Sequence, residues 1–210
     1  MKKTLLFSLS LLVINTLAAQ MNLSLGPRAG FGHSWISNSP DDSKIIYHPA
    51  GNFGASLVYS SQTNFGAGID LIYSIEGVKA EQDMGAGIVT MENRLNYLRI
   101  PVYGIYFFGQ NGDKVRPKVS LGPSFGFLLG AKNFINDNDG NDVKDSFKGF
   151  DLGLQLSGGV HVNLVENTWL VADAGYYHGL TKIHESGLAD KHMNRNIQVN
   201  LGVLFGIGRY

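Results

Sequence analysis

The sequence predicts an all-β chain, an eight-stranded antiparallel up-and-down transmembrane β-barrel. Three observations carry the prediction. Apolar and polar residues alternate with period two along eight separate runs, the mark of strands with two unlike faces. The connections between the runs alternate between long and short, as they do in outer-membrane barrels with tight periplasmic turns and longer outer loops. One face of the runs carries arginine, lysine, aspartate and many of the 27 glycines, residues that a soluble sheet core accepts poorly.

The chain begins with an address. Lys2 and Lys3 precede an apolar stretch at 5–17 and a small-residue zone at 16–19, the layout of a secretory signal peptide. Residues 1–19 are therefore expected to be the signal and 20–210 the barrel domain. Beyond it no window reaches the roughly 18 apolar residues that a spanning helix needs. With Lys2 and Lys3 removed, 15 basic side chains face 17 acidic ones, a net charge of −2. No polybasic patch for nucleic acid is present. The chain has no cysteine, so no disulfide framework and no thiolate metal site is expected.

The runs follow in order. The first, 22–35, sets Leu23, Leu25, Ala29, Phe31 and Trp35 against Ser24, Gly26, Arg28, Gly30 and Gly32. The second, 52–60, opposes Phe53, Ala55, Leu57 and Tyr59 to Asn52, Gly54, Ser56 and Ser60. The third, 65–76, alternates Ala67, Ile69, Leu71, Tyr73 and Ile75 with Gly66, Gly68, Asp70, Ser74 and Glu76. The fourth, 95–108, puts Leu98, Ile100, Val102 and Tyr106 opposite Tyr97, Arg99, Pro101 and Tyr103.

The fifth run, 115–132, opposes Val119, Leu121, Phe125 and Phe127 to Arg116, Lys118, Ser120 and Gly122. The sixth, 150–164, sets Leu152, Leu154 and Leu156 against Asp151, Gly153, Gln155 and His161. The seventh, 169–180, alternates Leu170, Ala172 and Tyr176 with Asp173, Gly175 and Tyr177. The eighth, 196–207, opposes Ile197, Val199, Leu201, Val203 and Phe205 to Asn196, Gln198, Asn200 and Gly202. Each run is long enough to cross the hydrocarbon, which takes ~9–11 tilted residues.

Long polar connections are expected at 36–51, 77–93, 133–149 and 181–194, and short ones at 61–64, 109–114 and 165–168. With both termini periplasmic, all the long ones lie outside. Pro27, Pro101 and Pro123 each remove an N–H that a closed barrel needs, so they are expected at bulges or near the rims. The chain ends on Tyr210, in keeping with the terminal aromatic of outer-membrane barrels, although Phe205 is out of phase with it.

Four segments in order, 95–102 (LNYLRIPV), 121–132 (LGPSFGFLLGAK), 150–159 (FDLGLQLSGG) and 176–183 (YYHGLTKI), resemble the outer-membrane β-barrel family of Bacteroidetes-type bacteria, the porin-family or PorT-like barrels. The resemblance implies an outer-membrane location and little about activity. Arg99 stands where that family often has an acidic residue, and Gly175 replaces a frequent arginine. A shorter echo is internal: 25–32 (LGPRAGFG) and 121–128 (LGPSFGFL) share a pattern.

Eight ionisable residues have interior parity: Arg28, Asp70, Glu76, Arg99, Arg116, Lys118, Asp151 and Asp173. The lumen of eight strands is filled by side chains, and a buried charge is costly unless paired. A closed, hydrogen-bonded plug is expected, in preference to a narrow path for ions. Tyr59, Tyr73, Tyr106, Trp169 and Tyr176 are expected to form aromatic girdles at the two membrane faces. The stretch 137–142 (DNDGND) alternates oxygen donors as calcium sites do, but Asp142 stands where the loop of an EF-hand needs glycine, and a solvated loop is expected. His178, His184, Glu185, Ser186 and His192 gather near the last outer loop without a nucleophile elbow. No catalytic residue, metal or cofactor is assigned.

The reading is a structural or surface-interaction protein of the outer membrane acting through four outer loops. The alternatives are an accessory of a protein secretion or assembly machine and a narrow small-solute channel. Its partners are then membrane lipid, the barrel assembly machinery and an extracellular or secretion-machine protein.

Overall fold

The computed structural model describes residues 22–37, 44–83, 85, 87–110, 112–136, 138, 140–184 and 192–207. Alternating apolar residues face outward and small or polar ones inward, and this pattern builds eight long strands: β1 (Leu23–Ile36), β3 (Pro49–Ser60), β4 (Phe65–Asp83), β5 (Ile88–Phe107), β6 (Val115–Ile135), β8 (Phe150–Val165), β9 (Thr168–Gly179) and β10 (Asn194–Gly206). Two short strands, β2 (Lys44–Ile46) and β7 (Asn141–Asp142), add to β4 and β6. Every neighbour in the ring is antiparallel, and β1 pairs with β10 to close it. Closure leaves no strand edge for lipid to solvate, as it could not.

The outer face is apolar. Leu25, Phe31, Phe53, Leu71, Leu121, Leu156, Val199 and Leu201 are all exposed, which suits lipid rather than water. The interior face holds the buried serines, asparagines and charges.

Two expectations about the wall need correction. The connection expected at 77–93 is mostly strand. β4 continues to Asp83 and β5 starts at Ile88, in register throughout, because Val78 and Ala80 face Asn93 and Met91 and extend the alternation. Beyond Ile75, β4 outruns its ladder with β3, and β6 outruns β8 beyond Phe127. A sheet in the order β2-β4-β5-β6-β7 therefore rises above the outer rim.

The prolines are not at bulges or rims either. The register shifts lie at Asn96/Tyr97 and Asn163/Val165. At Pro27 the β1–β10 pairing lapses over Gly26 and Pro27 and resumes in the same register. At Pro123 the β5–β6 pairing lapses over Gly122 and Pro123, and at Pro101 the β4–β5 pairing lapses over Ile100 and Pro101. Each proline thus costs rungs on one side without displacing the strand. The two repeated Leu-Gly-Pro segments share a device. A Cβ on Gly26 would sit 1.8 Å from the Val203 carbonyl oxygen, and one on Gly122 would sit 2.0 Å from that of Val102. The glycine before each proline lets the neighbouring backbone close in where a hydrogen bond is missing.

Candidate functional site

The lumen is built in layers, and the ionisable residues with interior parity occupy its middle. Near the outer end, β5 presents Arg99 between β4 and β8. Its Nε donates to Glu76 Oε1 at 2.7 Å, and one Nη donates to Glu76 Oε2 at 2.6 Å and to Asp151 Oδ2 at 2.7 Å. The guanidinium lies over the rings of Tyr97 and Tyr177, at 4.6 and 4.1 Å. Asp151 also accepts from Tyr177 Oη at 2.9 Å, Asn194 Nδ2 at 2.9 Å and Thr181 Oγ1 at 2.8 Å. Ser74 Oγ donates to Glu76 at 2.8 Å. Both carboxylates are satisfied by charge-assisted hydrogen bonds, the strong kind.

A second charged layer lies below. Arg28 on β1 bridges Asp70 at 2.5 Å and Asp173 at 3.3 Å. Lys118 approaches Asp173 at 3.5 Å. Tyr103 Oη donates to Asp70 at 2.8 Å and Asn200 Nδ2 to Asp173 at 3.1 Å. Of the counter-charges open to Arg99 on parity alone, Glu76 and Asp151 are its partners, and Asp70 belongs to Arg28.

Apolar clusters cap both layers. Ile36, Leu95, Tyr97, Leu128, Ala131, Phe147 and Ile183 close the outer end. Val58, Tyr103, Ile105, Phe107, Val171 and Leu204 close the inner end. The spaces beside the two charged layers measure about 20 and 10 Å³, which is room for about one water each.

Arg116 stands apart from these layers. It lies over Phe107 at 4.2 Å and below the inner apolar cluster. Four of the five expected girdle residues have outward parity. Tyr106 packs with Phe65 and Phe108 at the inner rim, Tyr73 packs with Phe53, Tyr176 lies near Trp35 and His178, and Tyr59 stands one residue before the end of β3. Trp169 is a correction. It shares parity with Val171 and Asp173, which face inward, and it lines the periplasmic mouth with Arg116 and His161.

Sequence reasoning left the tyrosines, Thr181 and Asn194 without a role. The interior parity of Tyr97, Tyr103 and Tyr177 was the available signal. Thr181 lies past the end of β9, where parity says nothing, whereas Asn194 opens β10 with the interior parity of Asn196.

On the outer rim, Glu92 gathers Arg94 at 2.8 Å, His48 at 3.5 Å and Lys79 at 3.7 Å. His48 Nδ1 shares a hydrogen bond with Ser34 Oγ at 2.9 Å. Burial holds the His48 imidazole down, to a pKa of about 4, against the pull of Glu92. Asp137, Asp139, Glu185, Ser186 and Tyr210 fall outside the described residues. His184 and His192 have ring centroids 5.3 Å apart. Among the described residues no group of three metal-ligating side chains converges.

The family model for the outer membrane protein beta-barrel domain matches residues 18–185. Among solved structures, Neisserial surface protein A superposes with a TM-score of 0.56 at 14% identity, covering 88% of this chain and 97% of its own. The outer membrane protein OprG from Pseudomonas aeruginosa gives 0.52 at 11% identity, covering 90% and 96%. At these identities the likeness is one of fold. Comparison with curated proteins yields no match.

Proposed function

Because the chain belongs to the outer membrane protein beta-barrel domain family, and so is a protein of the outer membrane, we propose that it is a closed, non-catalytic barrel that acts at the cell surface. One observation carries the reading: two layers of arginine–carboxylate pairs fill the lumen, with an apolar cluster at each end. An ion crossing it would have to break buried pairs, each worth ~3–5 kcal/mol when one partner is lost. With the lumen shut, the surface left for interaction is the sheet above the rim and the outer connections. Export by a signal peptide at 1–19 is part of this proposal.

A placement among Bacteroidetes-type, PorT-like barrels, and with it an accessory role in a secretion machine, is the second reading. It is favoured by where the four resembling segments fall. They carry Tyr97, Arg99, Asp151, Tyr177 and Thr181 of the outer charge layer, and Leu128 and Ala131 of the cap above it. The resembling segments therefore coincide with the plug, although Arg99 itself departs from the acidic residue common in that family.

Planar-bilayer recording tests the closed lumen. The wild-type protein is expected to give no steady conductance; a steady current that falls on Arg99→Ala or Asp70→Ala would overturn the proposal. Crosslinking and pull-down from intact membranes, with secreted cargo measured in a deletion strain, separates a surface binder from a secretion accessory.

A further inference from the structure

The periplasmic mouth holds a cavity of about 220 Å³, far larger than the spaces higher in the lumen. Val58, Trp169 and Leu204 give it apolar walls, Ser24, Ser60 and Asn163 supply polar ones, and Arg116 and His161 reach it from the inner face. Both of these are more than nine-tenths buried, with 7% and 6% of their surface exposed.

Neither side chain is satisfied by the protein. Among the described residues, Arg116 rests its guanidinium on Phe107, and its one hydrogen bond is a long one to the Thr63 carbonyl at 3.5 Å. Its Nε has no acceptor, and His161 Nε2 has no partner. The Phe107 ring also takes the edge of His161, at 5.2 Å. Arg28 Nε and one Arg99 Nη are also unpartnered, but Arg28 and Arg99 each hold two carboxylates and Arg116 holds none. Asp113, on the lip of the same cavity, is the carboxylate whose charge reaches Arg116, but among the described residues it makes no ion pair with it, so the guanidinium's donors stay open.

We propose that the mouth is a binding site for a small organic monocarboxylate entering from the periplasm. The carboxylate meets the forked donors of Arg116, a geometry that arginine matches with two parallel hydrogen bonds. His161 adds a polar contact, and the apolar body packs against Val58, Trp169 and Leu204. Concave, mostly apolar walls with a few convergent polar groups are the ordinary make-up of a small-molecule site. The other charges nearby set the selectivity. Lys118 stands behind His161 but is engaged by Asp173. Asp113 is on the lip, held by the Gln110 N–H at 2.7 Å, and its charge disfavours dianions. The inner apolar cluster closes the site above, so it is a blind pocket and not a step on a path.

The chain has two tryptophans, Trp35 and Trp169, so a Trp35→Phe background isolates the emission of Trp169. In zwitterionic nanodiscs, cyclohexanecarboxylate is expected to change that emission saturably, about tenfold more weakly after Arg116→Gln. Cyclohexanemethanol, which is neutral, and inorganic phosphate, which lacks the apolar body, are expected not to saturate. An equal response to either control, or unchanged affinity in Arg116→Gln, would overturn the site. If that variant does not fold, the wild-type Arg116 Nε resonance serves instead. It should shift on adding cyclohexanecarboxylate, and an unmoved resonance sinks the proposal. Conductance is read separately, so the closed lumen and the mouth site stand or fall apart.

Discussion

Arg99 and Arg116 lie on adjacent strands, face the same interior and expose little surface, yet Arg99 is packed inside protein while Arg116 stands beside a cavity. Arg99 is gripped by Glu76 and Asp151, lies over two tyrosine rings and is shielded by an apolar cap. Arg116 has one aromatic ring, one long hydrogen bond and an open cavity beside it. The difference is one of depth. In the sealed middle of the barrel water cannot screen a charge, so each cation must carry its own anions. At the mouth, solvent or a ligand can supply the counter-charge, and an arginine can be left available.

Removing Arg99 is the severest way to break this contrast. Arg99→Met leaves Glu76 and Asp151 close together without their shared cation, and is expected to lose ~3–5 kcal/mol. Urea unfolding in detergent, followed by heat-modifiable gel mobility, reads that loss; a wild-type midpoint would mean that the pairs do not hold the lumen.

His48 gives an intermediate case, a buried base whose nearest carboxylate is already claimed by Arg94 and Lys79. Its folded pKa of about 4 lies below the ordinary histidine value of 6.5. Between those values the unfolded chain binds the proton and the folded one does not. This contribution to stability is therefore complete above about pH 6.5 and falls as the pH drops towards about 4. His48→Gln should flatten that part of the stability–pH profile, and an unchanged slope would show that other groups produce it.

The smallest effect on stability is expected at the mouth. Arg116→Gln removes no ion pair and should change the unfolding free energy by less than about 1 kcal/mol. Comparing its urea midpoint with that of Arg99→Met sharpens the contrast directly; equal losses would mean that Arg116 has a structural partner in the folded barrel.

Period-two alternation made the wall legible. It placed Arg28, Asp70, Glu76, Arg99, Asp151 and Asp173 on one face, because a strand sends neighbouring side chains to opposite sides. The same rule puts Trp169 inside, since its odd position places it with Asp173. The rim was harder to read. The residues at 77–83 are polar enough to look like a loop, and only the partner strand shows that they are paired. The prolines were misplaced for a related reason: a missing N–H predicts a lost rung, but the geometry of two backbones decides whether the register shifts to absorb it.

The eight wall strands, the two faces of the wall and the charges inside it are legible in residue order along single strands, whereas β2 and β7 are not. Tertiary structure alone decided which charges meet. Arg99 lies 23 residues from Glu76 and 52 from Asp151, and Arg28 lies 145 from Asp173. Pairings over such separations depend on stagger between strands and on ring closure. The same stagger lifts Arg116 clear of the four interior carboxylates and leaves it at the periplasmic mouth, near Asp113.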